Sequence, residues 1–339
     1  MAEMLIAKRD KLVAPLGSIE MLLSDPAATE AATDIGQRLT GTIATQIEPA
    51  DEAHFRDSAE KWLDRIRPGD VIVFYFSGHG ITDRVGDAVG LLGDVRTSTK
   101  RPWAQTFSVT KLALALRTMS AESAWVFFDA CQEVVAEFAD RLWDVKNIEL
   151  KELTLRDITE SSCEPLALAG AATGRVAWAP NGDEPPFFTQ VLLKGLSGCC
   201  VERTREHGWA VTGVTLLYDL AEVGRSLIDG IAVQPQSLAA HSERKVLLVV
   251  DHPFTPVTVR SSPETHLKLA AAVRLMHGPD IVSSGTASDF VWRADVEFAE
   301  RELTVHCETR QGAAMLAPQT FRQQPPAHNI TLIPMGKRV

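Results

Sequence analysis

The chain has 339 residues and a formal net charge of −10, which argues against a general nucleic-acid or anionic-membrane binder, since both want a basic surface. Its apolar share of 45% is enough for a sizeable core, and the length suits two domains. No apolar run approaches a transmembrane helix, and MAEMLIAKRDKLVAPL carries charge inside its short apolar segment, unlike a signal peptide. A soluble, cytoplasmic protein with no membrane or nucleic-acid partner is the expectation. The five cysteines, Cys131, Cys163, Cys199, Cys200 and Cys307, are odd in number, scattered and without a CxxC pair. That argues against a disulfide framework and a structural zinc site, so reduced thiols are expected.

In chain order, Met4 to Ala7 gives a weak first strand, and Pro26 to Leu39 a helix by the spacing of its apolar residues. Ala53 to Arg67 is a second helix with Phe55, Ala59, Trp62, Leu63 and Ile66 on one face. Pro68-Gly69-Asp70 stops it and turns the chain into VIVFYF, Val71 to Phe76, a strand suited to burial on both faces. A small polar loop follows, with His79 between Gly78 and Gly80. Ala88 to Leu92 reads as a short strand, Val109 to Met119 as a helix, and residues 124–129 as a second buried strand that ends in Asp129-Ala130-Cys131-Gln132. Glu133 to Trp143 has helical character, and the charged stretch after it reads as a surface linker. Pro165 to Ala172 is a small-residue strand, Phe187 to Leu196 and Val211 to Ile228 are helices, and Lys245 to Val250 is a strand.

Strand, helix and strand joined by short connections indicate an α/β sheet built with right-handed crossovers. The texture turns to Pro, Thr, Ser and Val around Asp251 to Pro263, a domain boundary. Beyond it Phe290 to Val296, Glu302 to Glu308 and Asn329 to Ile333 alternate like half-exposed antiparallel strands, so the tail, 251–339, is expected to be a small β-rich module.

In an open parallel sheet the carboxyl ends of the strands line the ligand crevice. His79 and Cys131 each follow such a strand. Taken singly, the histidine is most simply a hydrogen-bonded surface residue and the cysteine a core residue. Together, in glycine- or small-residue loops, they favour chemistry. A thiol attacks a carbonyl only as thiolate, and a neighbouring imidazole lowers that cost and later protonates the leaving amine. The oxyanion then needs fixed N–H donors, for which the amides of Gly80 and Cys131 are candidates.

FYFSGHG followed by FFDACQ resembles the caspase-like cysteine peptidases, the clan of caspases, metacaspases, paracaspases, gingipains and separases. The two reactive residues stand about 50 positions apart, as in caspases. LALAGAATGRVAWAP, Leu166 to Pro180, is similar to the strand and substrate-lining loop of the caspase small subunit, and Phe187 to Leu196 to a helix common in bacterial members. The resemblance implies a caspase-like, mostly parallel sheet flanked by helices. It divides residues 1–250 into a large-subunit-like part (1–135), a linker (136–162) and a small-subunit-like part (163–250). It also implies Cys131 as nucleophile, with His79 as base or orienter and the Gly80 and Cys131 amides as oxyanion hole.

Asp129, two residues before Cys131, can pair with a basic P1 side chain, as the Asp of a DxC motif does in the Arg/Lys-specific relatives. Its plain alternative is a hydrogen-bonded cap on the next turn. The arginine of the caspase aspartate pocket is missing, because the matching segment reads Ala177-Trp178-Ala179. Asp183 adds negative charge to the pocket or is a solvated loop residue. Trp178 walls a neighbouring subsite or is a core residue. Arg141, Lys146, Lys151 and Arg156 in the linker are candidate processing sites of a zymogen cut by itself or by an upstream protease. The alternative is a solvated linker.

The expected function is an endopeptidase that cleaves protein substrates after Arg or Lys in a bacterial signalling, cell-death or defence system, under an activating protease or regulatory protein. No metal site is expected, and calcium dependence is disfavoured because no dense acidic loop is present. The competing expectation is a catalytically silent caspase-like scaffold that binds a partner protein.

Overall fold

A computed structural model of the protein describes residues 1–24, 47–83, 86–95, 105–134, 163, 165–180, 184–228, 236–240, 244–288, 290–309 and 316–335. The expected helix at 26–39, nearly all of the 133–143 helix, the 136–162 linker, Asp183 and the four linker residues Arg141, Lys146, Lys151 and Arg156 lie outside the described residues. The chain begins with helix α1 (Ala2–Ala7), where a strand over Met4 to Ala7 was expected. Ala, Glu, Met and Leu favour a helix, and an apolar run this short does not separate the two states by its period. The first strand comes later: β1 (Met21–Leu23) pairs in parallel with β2 (Ile47–Pro49).

Helix α2 (Glu52–Asp64) starts on Asp51, whose side chain accepts from the His54 N–H. Strand β3 (Val71–Gly78) follows, then a small antiparallel sheet of β4 (Gly80–Thr82), β5 (Ala88–Leu91) and β6 (Thr106–Ser108). Ser108 caps helix α3 (Val109–Arg117) by accepting from the Lys111 N–H at 2.9 Å. Strands β7 (Ser123–Ala130) and β8 (Pro165–Ala169) and helix α4 (Phe187–Lys194) come next, and α4 runs on into a π-turn, Gly195–Cys199. The short strands β9 (Glu202–Thr204) and β10 (Gly208–Thr212) form a hairpin that charged residues hide from a hydropathy reading. Helix α5 (Gly213–Leu227) and strands β11 (Gln236–Ala240) and β12 (Val246–Val249) follow.

The chain divides into two compact units. The first is residues 1–193, 212–217 and 234–248; the second is 194–211, 218–233 and 249–339. In the first unit a four-stranded sheet has the order β11-β8-β7-β3, with β3, β7 and β8 parallel and β11 antiparallel. Strand β7 is buried at every residue, as a near-continuous apolar run between two parallel neighbours should be. Strand β3 was expected to be buried on both faces, yet only Ile72 among Val71 to Phe76 is fully buried. In this sheet β3 has a partner on one side only among the described residues, so its side chains are half-covered. Its apolar face joins α2, α3 and Phe107, whose ring stacks on Phe55 at 5.2 Å and meets Phe74 and Phe76 edge-on at 5.7 and 5.0 Å.

The second unit holds β13 (Phe254–Ser261), helix α6 (Thr265–Lys268), β14 (Ala270–His277), β15 (Asp280–Gly285), β16 (Trp292–Glu297), β17 (Glu302–Thr309), β18 (Gln319–Arg322) and β19 (His328–Leu332). They form sheets of order β16-β13-β19 and β15-β14-β17-β18 around Val257, Val259, Leu275, Trp292 and Val305. The Pro- and Ser-containing stretch 251–263 thus contains a central strand. Its alternating Val and Thr residues carry the β propensity. Pro256 pairs with Asp295 of β16, and the β19 pairing starts only at Val257.

Phe107 is 1% exposed and touches rings from α2, β3 and β7. Phe107→Ala should lower unfolding stability by about 3–5 kcal/mol, the cost of deleting a large buried ring. Urea denaturation followed by tryptophan fluorescence checks it.

Candidate active site

Strands β3 and β7 run side by side with Ser77 opposite Asp129 and Gly78 opposite Ala130. His79 and Cys131 are each the next residue beyond that last matched pair, so they leave neighbouring strands at the same carboxyl edge. His79 is exposed and Cys131 half-buried. Gly80 makes the approach of the two loops feasible. A Cβ there would stand 2.7 Å from the Cys131 carbonyl oxygen and 2.8 Å from the Ala130 Cβ, well inside contact distance. Beyond it the chain keeps company with the segment after Cys131. The Thr82 N–H donates to the Glu133 carbonyl at 2.9 Å and the Thr82 hydroxyl to the Gln132 carbonyl at 2.6 Å. The His79 carbonyl accepts from the Leu91 N–H at 3.0 Å, which ties the histidine's backbone to β5.

The second wall is the loop after β8. Its Gly170 N–H donates to the Phe128 carbonyl at 2.9 Å. Gln132 then grips it at several points: its N–H donates to the Arg175 carbonyl at 2.9 Å, its carbonyl accepts from the Gly174 N–H at 2.7 Å, and its side-chain amide donates to the Ala171 carbonyl. The Cys131 thiol points to the Ala177 carbonyl at 3.8 Å. The next residue, Trp178, is 61% exposed, which corrects the core alternative for this tryptophan, and its carbonyl accepts from the Phe187 N–H at 3.0 Å at the start of α4. The loop therefore runs from the sheet, past the thiol, to the helix.

Asp129 is 2% exposed. Its Oδ2 accepts from the backbone N–H of Thr189 at 3.0 Å and from the Thr189 hydroxyl. Thr189 lies in the first turn of α4, where unpaired N–H groups and the positive end of the helix dipole favour a carboxylate. Asp129 thus caps a helix distant in sequence rather than the turn that follows it. Oδ1 is buried without a hydrogen-bond partner among the described residues. Burial pushes the Asp129 carboxyl above the ordinary range, against the opposing pull of the two Thr189 donors.

The structure brings together the carboxyl-edge positions of His79 and Cys131, with Gly80, Asp129, Ala177 and Trp178 around them. Thr189 and Tyr75, whose hydroxyls are 2.6 Å apart, were missed by sequence reasoning. The only signal of Tyr75 was a hydroxyl inside an otherwise apolar strand, and Thr189 is one polar residue in an apolar helix. Among the described residues no three or more His, Cys, Asp or Glu side chains converge as a metal ion requires, and no helix is long and apolar enough to cross a membrane.

The family model of the caspase domain, peptidase C14, matches residues 35–213, a span that contains all of these positions. An uncharacterized protein, y4kE, of Sinorhizobium fredii (strain NBRC 101917 / NGR234) is 32% identical over 218 residues, 62% of this chain and 57% of that protein. The chain thus spans little more than half the length of that relative.

Gly80→Ala should force the two loops apart and lower stability by about 1–3 kcal/mol, the usual cost of overpacking. Gly17→Ala, at a position with nothing within 4 Å of the added carbon, should leave it unchanged. Denaturant midpoints of the two variants check this.

Proposed function

Because this chain belongs to the caspase-domain family of cysteine peptidases, we propose that it is an endopeptidase that cleaves protein substrates after Arg or Lys through Cys131 and His79. The observation that carries this reading is the matched register of β3 and β7, which puts both residues at one sheet edge. The Cys131 sulfur attacks the scissile carbonyl as thiolate, its proton passing to His79. The tetrahedral oxyanion accepts from the N–H groups of Gly80 and Cys131. Collapse breaks the C–N bond, and His79 returns the proton to the leaving amine. Water, deprotonated by His79, then cleaves the thioester, giving the carboxylate product and the free thiol.

Asp129 provides the negative charge for the P1 side chain, supported by its buried, unpaired Oδ1. The Ala177-Trp178-Ala179 segment brings no arginine to attract an acidic P1 residue, and the exposed Trp178 indole walls the neighbouring subsite. Asp183 adds to the pocket's charge. The reading calls for no metal, with calcium dependence disfavoured, and places the peptidase in the bacterial cytoplasm, within a signalling, cell-death or defence system.

Fluorogenic peptides ending in Arg or Lys test the reading. Cys131→Ala should abolish turnover, and His79→Ala should lower it by about 100-fold or more, the usual worth of acid–base catalysis. Asp129→Asn should remove the preference for basic over neutral P1. Equal turnover by wild type and Cys131→Ala, or enrichment of Asp at P1 in proteome-wide profiling, overturns the proposal. The carboxyl raised by burial binds its proton more tightly folded than unfolded, so its contribution to stability is complete below the ordinary carboxylate range and is lost as pH rises through the raised value. Asp129→Asn should therefore gain stability relative to wild type over that same rise, read as thermal midpoints across pH.

We further propose that the enzyme is a zymogen activated by cleavage after Arg141, Lys146, Lys151 or Arg156, by itself or by an upstream protease. Alanine at all four should hold the purified protein as one uncut, weakly active chain on gels. Full activity in that variant, with no processed bands in wild type, rules this out.

A further inference from the structure

The two oxygens of Asp129 have unlike surroundings. Oδ2 takes both Thr189 donors, the backbone N–H and the hydroxyl. The Thr189 hydroxyl stands 2.6 Å from the Tyr75 hydroxyl. Since the Thr189 proton is already committed to the carboxylate, Tyr75 is the donor in that contact. The result is a one-way relay from Tyr75 on β3, through Thr189 on α4, to Asp129 on β7.

Oδ1 is buried and has no hydrogen-bond partner among the described residues. It lies against Gly170, where a Cβ would stand 3.1 Å from it and 2.6 Å from the Phe188 Cβ. A side chain at 170 would collide with Phe188 and crowd that oxygen, so the glycine is what lets Phe188 and the Asp129 carboxylate pack this closely. With two donors on Oδ2, a guanidinium cannot take both carboxylate oxygens in parallel, which is the geometry that sets arginine apart from lysine.

We propose that Thr189 and Tyr75 are positioning residues for the basic-side-chain pocket. By occupying Oδ2 they present Oδ1 alone to the substrate, so the pocket recognises positive charge at a single point and accepts Lys as readily as Arg. This rests on the reading of Asp129 as the P1 carboxylate. An unpaired buried carboxylate oxygen is costly to leave unmet, so a cationic side chain relieves that cost as it binds. The relay holds the carboxylate still while it does so. An uncharged P1 side chain gains nothing from either.

The test uses the full chain and three fluorogenic peptides that differ only in Arg, Lys or Gln at P1. Wild type should turn over the Arg and Lys peptides with kcat/KM within about tenfold of each other. Thr189→Val and Tyr75→Phe should each lower kcat/KM for both basic peptides by about tenfold, chiefly through KM, as expected for loss of a hydrogen bond serving a charged group. Turnover of the Gln peptide and the rate at which iodoacetamide alkylates Cys131 should not change, and Thr189→Ser should restore the basic peptides. Unchanged basic turnover in Thr189→Val overturns the inference. So does an equal fall for the Gln peptide and for alkylation, the mark of a merely structural prop. A preference for Arg over Lys of about a hundredfold or more, the discrimination a bidentate contact would bring, overturns it as well. If wild type and Asp129→Asn treat all three peptides alike, the reading of Asp129 fails, and this inference with it. That pattern is distinct from the others.

Discussion

Strands β3 and β7 stay in register from Val71 and Ser123 to Gly78 and Ala130, and both chains leave the sheet at the same level. That one parallel pairing does more than build a sheet. It converts a large separation in sequence into adjacency of a histidine loop and a cysteine loop. Gly80 lets the first loop lie on the backbone of the second, and Thr82 then bonds to the carbonyls of Gln132 and Glu133. Hydrogen bonds from the Thr82 N–H and hydroxyl to backbone carbonyls therefore help fix the approach. Small errors in core packing should move the two loops together rather than apart.

The same pairing explains the placement of a carboxylate that would otherwise be a liability. Asp129 is itself a residue of the wholly buried strand β7, where an unpaired charge is expensive. The first turn of α4 offsets much of that through its dipole and the two Thr189 donors. Half of the carboxylate is thereby stabilised and half is not. The proposed contact with a basic side chain would give that second oxygen its partner.

Much of this was legible in the sequence because burial and period leave clear marks. VIVFYF and AWVFF are apolar, β-branched and aromatic runs that suit strands, although only the second is buried throughout, and each stops at a polar residue. The helices 52–64, 109–117 and 213–227 announce themselves by period. Other features could not be read. Thr189 meets Asp129 across 60 positions and Tyr75 across 114, and no local pattern encodes a contact of that range. The need for glycine at 80 comes from the neighbouring strand's backbone, not from its own turn. Ala2–Ala7 went astray because four apolar residues fit either state, and β13 because Pro and Ser look like a boundary while alternating Val and Thr make a strand.

Gln132 shows how the sheet edge and the second loop are joined. Its N–H, its carbonyl and its side-chain amide all reach the segment 171–175, and the strand before it pairs with β8 over residues 124–128. These bonds, with those from Asp129 to Thr189, tie the part of the chain that ends in Cys131 to the part that begins at β8. A cut between Arg141 and Arg156 would break the covalent connection and leave every one of them in place. Processing there would not release a fragment. It would leave a new chain end between 10 (141 − 131) and 25 (156 − 131) residues beyond the nucleophile, while the sheet continued to hold Cys131 opposite Ala177. A cut there would sever the chain without separating the parts that these bonds join.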